Sequence, residues 1–241
     1  MKSIEAFFVS LPKLLTVLPA TILLFIAIVC MGILLGLLLA FVRIGKKKIL
    51  KAIVAVFISF ERGTPLLIQI MIVYFGLRAI LVNGFGITGA VRWNAAYFAF
   101  IAYGLNLSAF LSETFRGAYL SIERGQIEAA ESIGMTKFQV FRRVILPQGA
   151  RIALPNMGNL LLDDFKAISL AFSIGVIEIM GRGTGLANAA RGVGAIGIYS
   201  AVALVYWVIC FLMDKLFVGL ERHLSKDLRV MGASGTRTIV K

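Results

Sequence analysis

The sequence predicts an all-α, polytopic membrane protein with about five transmembrane helices, its N-terminus outside and its C-terminus in the cytoplasm. Three observations carry that expectation. Of 241 residues, 59% are hydrophobic and only 15% are charged, against about 45–50% and about 25% in a soluble domain. The mean hydropathy is +0.92. The few charges are lopsided, 25 Lys and Arg against 12 Asp and Glu, for a net charge of +13. So much apolar surface excludes a disordered chain. A basic excess on a chain this apolar points to sorting across a bilayer rather than to nucleic acid.

A crossing helix needs about 20 apolar residues to pass about 30 Å of hydrocarbon. The expected spans are 14–42, 64–81, 93–118, 150–177 and 193–220. Leu14–Val42, Trp93–Ser112 and Gly192–Met213 carry no charge at all. The second span is interrupted by Glu61-Arg62, followed by Gly63-Thr64-Pro65. Starting it near Thr64, with Pro65 in the first turn, leaves the charged pair at the interface instead of deep in lipid. Ile49–Phe60 then forms a membrane-surface or buried helix. The fourth span holds Asp163, Asp164 and Lys166 between apolar flanks and has no such escape.

The loops orient these spans. Sixteen Lys and Arg fall between spans one and two, between spans three and four, and after span five; six fall on the opposite side. Basic residues favour the cytoplasm, hence the orientation. No cleavable signal is expected, because the first apolar run is too long for one. The polar stretch Met231–Lys241 is expected to be a frayed tail.

Isolated residues are given simple roles. Cys30 and Cys210 lie in apolar runs and read as small core hydrophobes. His223, in a basic stretch, reads as a solvated interface residue. Gly32 and Gly36 form a small-xxx-small pair for close helix packing. Gly192-Val193-Gly194-Ala195-Ile196-Gly197 fits GxGxxG, but no strand precedes it, so a flexible outer loop is expected there. Asn106-Leu107-Ser108 is a glycosylation sequon placed inside a span.

The cytoplasmic connection 119–149 is long for a link between helices and is therefore a candidate functional element. Its residues predict a short helix from Glu123 to Ile133, stopped by Gly134 at the C′ position. Thr136 caps a second helix with Phe138, Phe141, Val144 and Ile145 on one face, ended by Pro147. Such a hairpin suits either insertion into a partner's groove or an amphipathic rest on lipid.

The order Glu128-Ala129-Ala130, Gly134 and Ile145-Leu146-Pro147 resembles the EAA loop of type I ABC importer permeases. Arg62-Gly63-Thr64-Pro65-Leu66-Leu67-Ile68-Gln69, Phe115-Arg116-Gly117, Gly125-Gln126, Arg143-Val144-Ile145-Leu146-Pro147-Gln148 and Arg151-Ile152-Ala153-Leu154-Pro155 resemble the polar amino acid permease family. The resemblance covers residues 14–222 as one transmembrane domain, leaving 223–241 as a cytoplasmic tail. It implies the type I importer permease fold, in the bacterial cytoplasmic membrane, and a permease dimer of identical or paralogous chains. It also implies two ABC ATPase subunits and an extracytoplasmic amino acid-binding protein. Glu128, Ala129, Ala130, Gly134, Leu146 and Pro147 are the implied ATPase-coupling residues. The chain has no GxxxxGK[ST] loop, so a non-catalytic subunit is expected, with ATP on the partner and no cofactor or metal of its own.

Ionisable groups inside a membrane default to function. Asp163 and Lys166 share a helix face and either form a structural ion pair or face the solute. The family usually shows Lys-Asp-Thr-Ser-Leu where this chain has Lys166-Ala167-Ile168-Ser169-Leu170, so acidic residues precede the lysine instead. Asp163, and after it Asp164, are expected to contact substrate amino groups, with Lys166 balancing charge or facing a carboxylate. Ser169 joins them as a candidate. Gln69, Asn106, Ser108 and Asn159 are either ligand contacts or interhelical hydrogen bonds. Glu113–Arg116 and Glu178–Arg182 read as structural pairs, the second at the outer interface. The aspartates favour a cationic or doubly zwitterionic amino acid (arginine, lysine, histidine or cystine), with glutamine or glutamate as the alternative. The rival function is an ion-coupled carrier or channel working without ATP.

Overall fold

A computed structural model describes residues 2–235, with side chains as far as Leu224. The described residues are almost wholly helical and contain no strand. The helices are α1 (Lys2–Leu15), α2 (Leu18–Ile44), α3 (Lys48–Gly63), α4 (Leu66–Gly84, largely π-wound), α5 (Ala95–Leu120), α6 (Arg124–Ser132), α7 (Lys137–Val140), α8 (Leu146–Ala167), α9 (Ile179–Ala189) and α10 (Ala195–Gly235). A π-wound turn, Phe141–Ile145, joins α7 to α8, and a 3₁₀ segment, Ile168–Ile174, follows α8.

Four described helices are long and apolar enough to cross a membrane: Leu18–Ile44, Leu66–Gly84, Ala95–Leu120 and Ala195–Leu224. The expected span 150–177 is not among them: α8 is unbroken but ends at Ala167, and Asn156, Asn159 and the Asp163–Lys166 cluster lower its hydropathy. The run Leu14–Val42 is not one helix either. The chain turns at Thr16-Val17, and Pro19 stands in the first turn of α2, where a missing N–H leaves no bond unmade. Leu14 therefore belongs to α1 and is buried against Ile179, Ala201 and Val202 of α9 and α10. At the other end α10 continues without a break past residue 222 to Gly235, through part of the tail expected to fray. Residues 236–241 lie outside the described residues.

The bundle is organised around α5, whose Tyr103, Leu107 and Leu111 form one core with Ile28, Ile70, Leu161, Phe165 and Ile168. Small residues set the closest approach. A Cβ on Gly32 would stand 2.8 Å from Leu107, and one on Gly36 would stand 3.0 Å from Leu111. The small-xxx-small pair thus seats α2 on α5 within the chain. The turn before α10 is packed rather than flexible: a Cβ on Gly194 would stand 2.6 Å from the Ala6 side chain of α1. The Tyr103 hydroxyl donates to the Ala167 carbonyl at 2.7 Å, meeting an acceptor at the C-terminal end of α8. Cys30 is exposed on the outside of the bundle rather than in the core, and Cys210 is half-buried.

Candidate functional site

Two regions carry the functional side chains. The first is the hairpin of α6 and α7. Gly134 adopts φ +83°, a left-handed conformation that costs other residues about 1–2 kcal/mol. Its N–H donates to the Glu131 carbonyl at 3.0 Å, and the Met135 N–H donates to the Ala130 carbonyl at 3.2 Å, which closes the end of α6. Thr136 then opens α7 in a capping box: its hydroxyl accepts from the Gln139 N–H, and the Gln139 side chain accepts from the Thr136 N–H.

Beyond the caps the hairpin departs from expectation. Pro147 does not end the second helix; it stands in the first turn of α8, after the π-wound turn. Val140 is buried, whereas Phe138 is 70% exposed, so Phe138 does not share an inner face with Phe141, Val144 and Ile145. Ala130 is buried, while Glu128, Ala129 and Gly134 are exposed. Ile133, 75% exposed beside them, gives the hairpin a second bare apolar side chain. The Gln148 side-chain amide donates to the Gln126 amide oxygen at 2.7 Å and ties the hairpin to α8. Both glutamines lie in the recurrent segments, yet their spacing gives no sign that they meet.

The second region is the middle of α8. Lys166 bonds Asp163 at 2.7 Å, and both side chains are largely exposed on the open face of the helix, which they share with the exposed Asn159. Asp164, one residue on, turns inward. It is buried, and its Oδ2 has no hydrogen-bond partner among the described residues. It lines a cavity of about 210 Å³ with Asn106, Leu107, Phe110 and Leu160, and the exposed Asp163 borders the same cavity. Phe110 and Leu160 also line a neighbouring cavity of about 380 Å³, bounded by Arg62, Glu113 and Asn156. A third, of about 470 Å³, continues along Arg62 and Glu113 to Arg43. The three make a chain of spaces from the middle of α8 towards the end of α2.

The other expected residues divide. The Gln69 amide donates to the Glu61 carbonyl at 2.8 Å and to the Thr64 hydroxyl at 2.7 Å, and its oxygen accepts from Asn106 at 2.9 Å. Asn106 also donates to the Glu61 carbonyl at 3.0 Å. These amides therefore clamp the link between α3 and α4 onto α5; Asn106 borders the cavity as well. The clamp holds Arg62 with its guanidinium 5.3 Å from the Phe110 ring centre, a cation–π distance. Sequence reasoning placed Arg62 at the interface and missed this position, which depends on residues far apart in the chain. The Ser108 hydroxyl bonds back to the Leu105 carbonyl, and that of Ser169 bonds to the Lys166 carbonyl.

The two expected ion pairs fare differently. Glu113 binds Arg116 at 2.7 Å and also Arg43 at 3.3 Å. Glu178 does not pair with the Arg182 side chain. Its carboxylate accepts from the Met180 and Gly181 N–H groups and from the Tyr206 hydroxyl, capping α9. Burial raises its pKa, against which those three donors act.

A buried carboxylate with an oxygen left unpartnered among the described residues, set beside a row of cavities in a bundle of membrane-length helices, is the arrangement of a solute-translocating membrane subunit. Residues 32–226 match the family described as binding-protein-dependent transport system inner membrane component, and the chain belongs to that family, the permease subunits of bacterial ABC importers in the inner membrane. It is 38% identical over 218 residues to a probable amino-acid permease protein, YxeN, of Bacillus subtilis, covering 90% of this chain and 94% of that one. It is 37% identical over 216 residues to the L-cystine transport system permease protein TcyL of the same organism, covering 90% and 89%. A crystal structure of an amino acid ABC transporter with histidines superposes with a TM-score of 0.78 at 27% identity, over 91% of this chain and 98% of that one.

Proposed function

We propose that this permease carries a zwitterionic amino acid with an additional cationic or amino group past Asp164, by alternating access driven through the α6–α7 hairpin. The observation that carries the reading is the buried, unpartnered Asp164 carboxylate on a cavity wall. A charge in such a place is costly unless something satisfies it, and a substrate ammonium is the complement. Arg62, in the neighbouring cavity, supplies the opposite charge for a carboxylate, and Phe110 separates the two. Arginine, lysine, histidine and cystine all offer a second amino or cationic group. The relatives named for cystine and the neighbour solved with histidines support that class over glutamine and glutamate. Asp163, Lys166 and Asn159 form the open face of α8 and are assigned to the wall of the path, where a second permease copy would close it.

The force arrives from the other end. Glu128, Ala129, Ile133 and Phe138 offer an exposed surface to a groove on each ABC ATPase, and Gly134 fixes its shape. The Gln126–Gln148 bond, together with Leu146 and Pro147 at the start of α8, passes hairpin movement to the helix that bears Asp164. This is a rigid lever acting on a two-state bundle. An extracytoplasmic binding protein delivers the solute, and ATP is bound and hydrolysed by the partner subunits alone.

The test is substrate-stimulated ATP hydrolysis by the complex reconstituted with its ATPase and binding protein, across the amino acids. A cationic or doubly zwitterionic amino acid should stimulate, and Asp164→Asn should shift that response to about 10- to 100-fold higher substrate concentration without loss of assembly. Uptake that proceeds without internal ATP would overturn the importer reading. An unchanged response in Asp164→Asn would overturn the role of that residue.

A further inference from the structure

A cavity of about 330 Å³ lies where α2, α5, α8 and α10 meet the π-wound turn, and the substrate path does not use it. Its wall is apolar, built from residues such as Leu37, Phe41, Phe115, Phe141, Ile145 and Leu224. Its size falls in the range of about 300–1,000 Å³ typical of ligand cavities. Water fits such a wall poorly, because it would find no polar partners. Among the lining residues, Phe41 and Leu146 are themselves exposed apolar side chains, so hydrocarbon has access from the bilayer.

Charge decides which hydrocarbon. Three of the lining residues are flanked in the chain by exposed basic ones: Ile44 by Lys46–Lys48, Phe141 by Arg142 and Arg143, and Leu224 by Arg222. None of these cations forms an ion pair among the described residues. They come from three separate elements, at the end of the bundle that charge sorting assigns to the cytoplasm. An apolar slot whose lining residues have exposed cations as close chain neighbours is the complement of one ligand class, an acyl chain carrying an anionic head.

We infer that this cavity binds an anionic phospholipid of the cytoplasmic leaflet, with an acyl chain between α2 and α8 and the phosphate held by Arg142 and Arg143. The bound lipid braces the joint at Phe141, Ile145 and Leu146, through which the hairpin moves α8. The inference goes beyond the transport reading and is independent of which solute is carried.

The test is lipid retention. The full chain, assembled with its ATPase, is placed in nanodiscs of equal phosphatidylglycerol and phosphatidylcholine, and native mass spectrometry counts the lipids kept. Wild type should keep phosphatidylglycerol at least about fivefold over phosphatidylcholine. Ala150→Phe, at the cavity wall, should lose the retained lipid. The exposed double variant Arg142→Gln/Arg143→Gln should keep a lipid but lose the preference for phosphatidylglycerol, with a native melting profile. Equal retention of the two lipids by wild type would overturn the inference, as would an unchanged preference in both variants. Loss of the ATPase from the arginine variant with lipid preference intact would assign that pair to subunit docking and overturn it likewise.

Discussion

The α6–α7 hairpin and the middle of α8 treat their polar groups in opposite ways. At the hairpin the groups that helix ends leave open are met by close neighbours: Gly134 by Glu131, Met135 by Ala130, Thr136 by Gln139. In α8 the decisive group, Asp164, has an oxygen with no partner among the described residues, and its surroundings come from Asn106 and Phe110 on another helix. The difference teaches a division of labour. A locally closed module keeps its shape wherever it is pushed and serves as a handle. A group left unsatisfied in a built cavity waits for a ligand. Asp163 sharpens the contrast, because the residue beside Asp164 is already paired with Lys166.

Substitutions should break this contrast in graded fashion. The largest effect is expected from Gly134→Val, whose β-branched side chain cannot hold φ +83°; ATPase pull-down and ATP-driven uptake should both vanish while membrane insertion persists, and Gly134→Asn should restore part of each. Next comes Asp164→Asn. Losing a charged hydrogen bond of about 1.5–3 kcal/mol should raise the substrate concentration for half-maximal ATPase stimulation by about 10- to 100-fold. Gln69→Leu removes one of the two donors to the Glu61 carbonyl and the Gln69 acceptor of Asn106, and should lower stability by about 1–3 kcal/mol in a thermal unfolding assay, with a measurable coupling to Asn106→Leu in a double-mutant cycle.

Two smaller effects test the joints. Gln148→Leu should leave ATPase binding intact and weaken stimulated hydrolysis by about 2- to 10-fold, the worth of one hydrogen bond of about 0.5–1.5 kcal/mol. Asp163→Asn should stay within about twofold of wild type in the same assay, as expected of a largely exposed pair. An equal loss from Asp163→Asn and Asp164→Asn would remove the distinction between them.

Legibility in the sequence followed the range of the interactions. The stop at Gly134 and the cap at Thr136 were readable because the partners lie within a few residues and glycine is the residue that tolerates φ > 0. The separate helix before Pro65 was readable from the cost of placing Glu61 and Arg62 in lipid. The break at Thr16-Val17 was not, because hydropathy registers apolarity and is blind to a turn inside an apolar run. Pro147 misled for a related reason: a proline marks where an N–H is absent, and a π-wound turn places it in the first turn of the next helix.

What the sequence determined by itself was therefore the solvent: an apolar helical chain, its basic loops, its family and its hairpin. All of these follow from composition and from contacts short in sequence. Which of two adjacent aspartates faces inward was decided only by the tertiary structure, as were the Gln126–Gln148 tie and the stand of Arg62 over Phe110. Neighbouring residues on a helix point about 100° apart, so packing alone chooses which is buried.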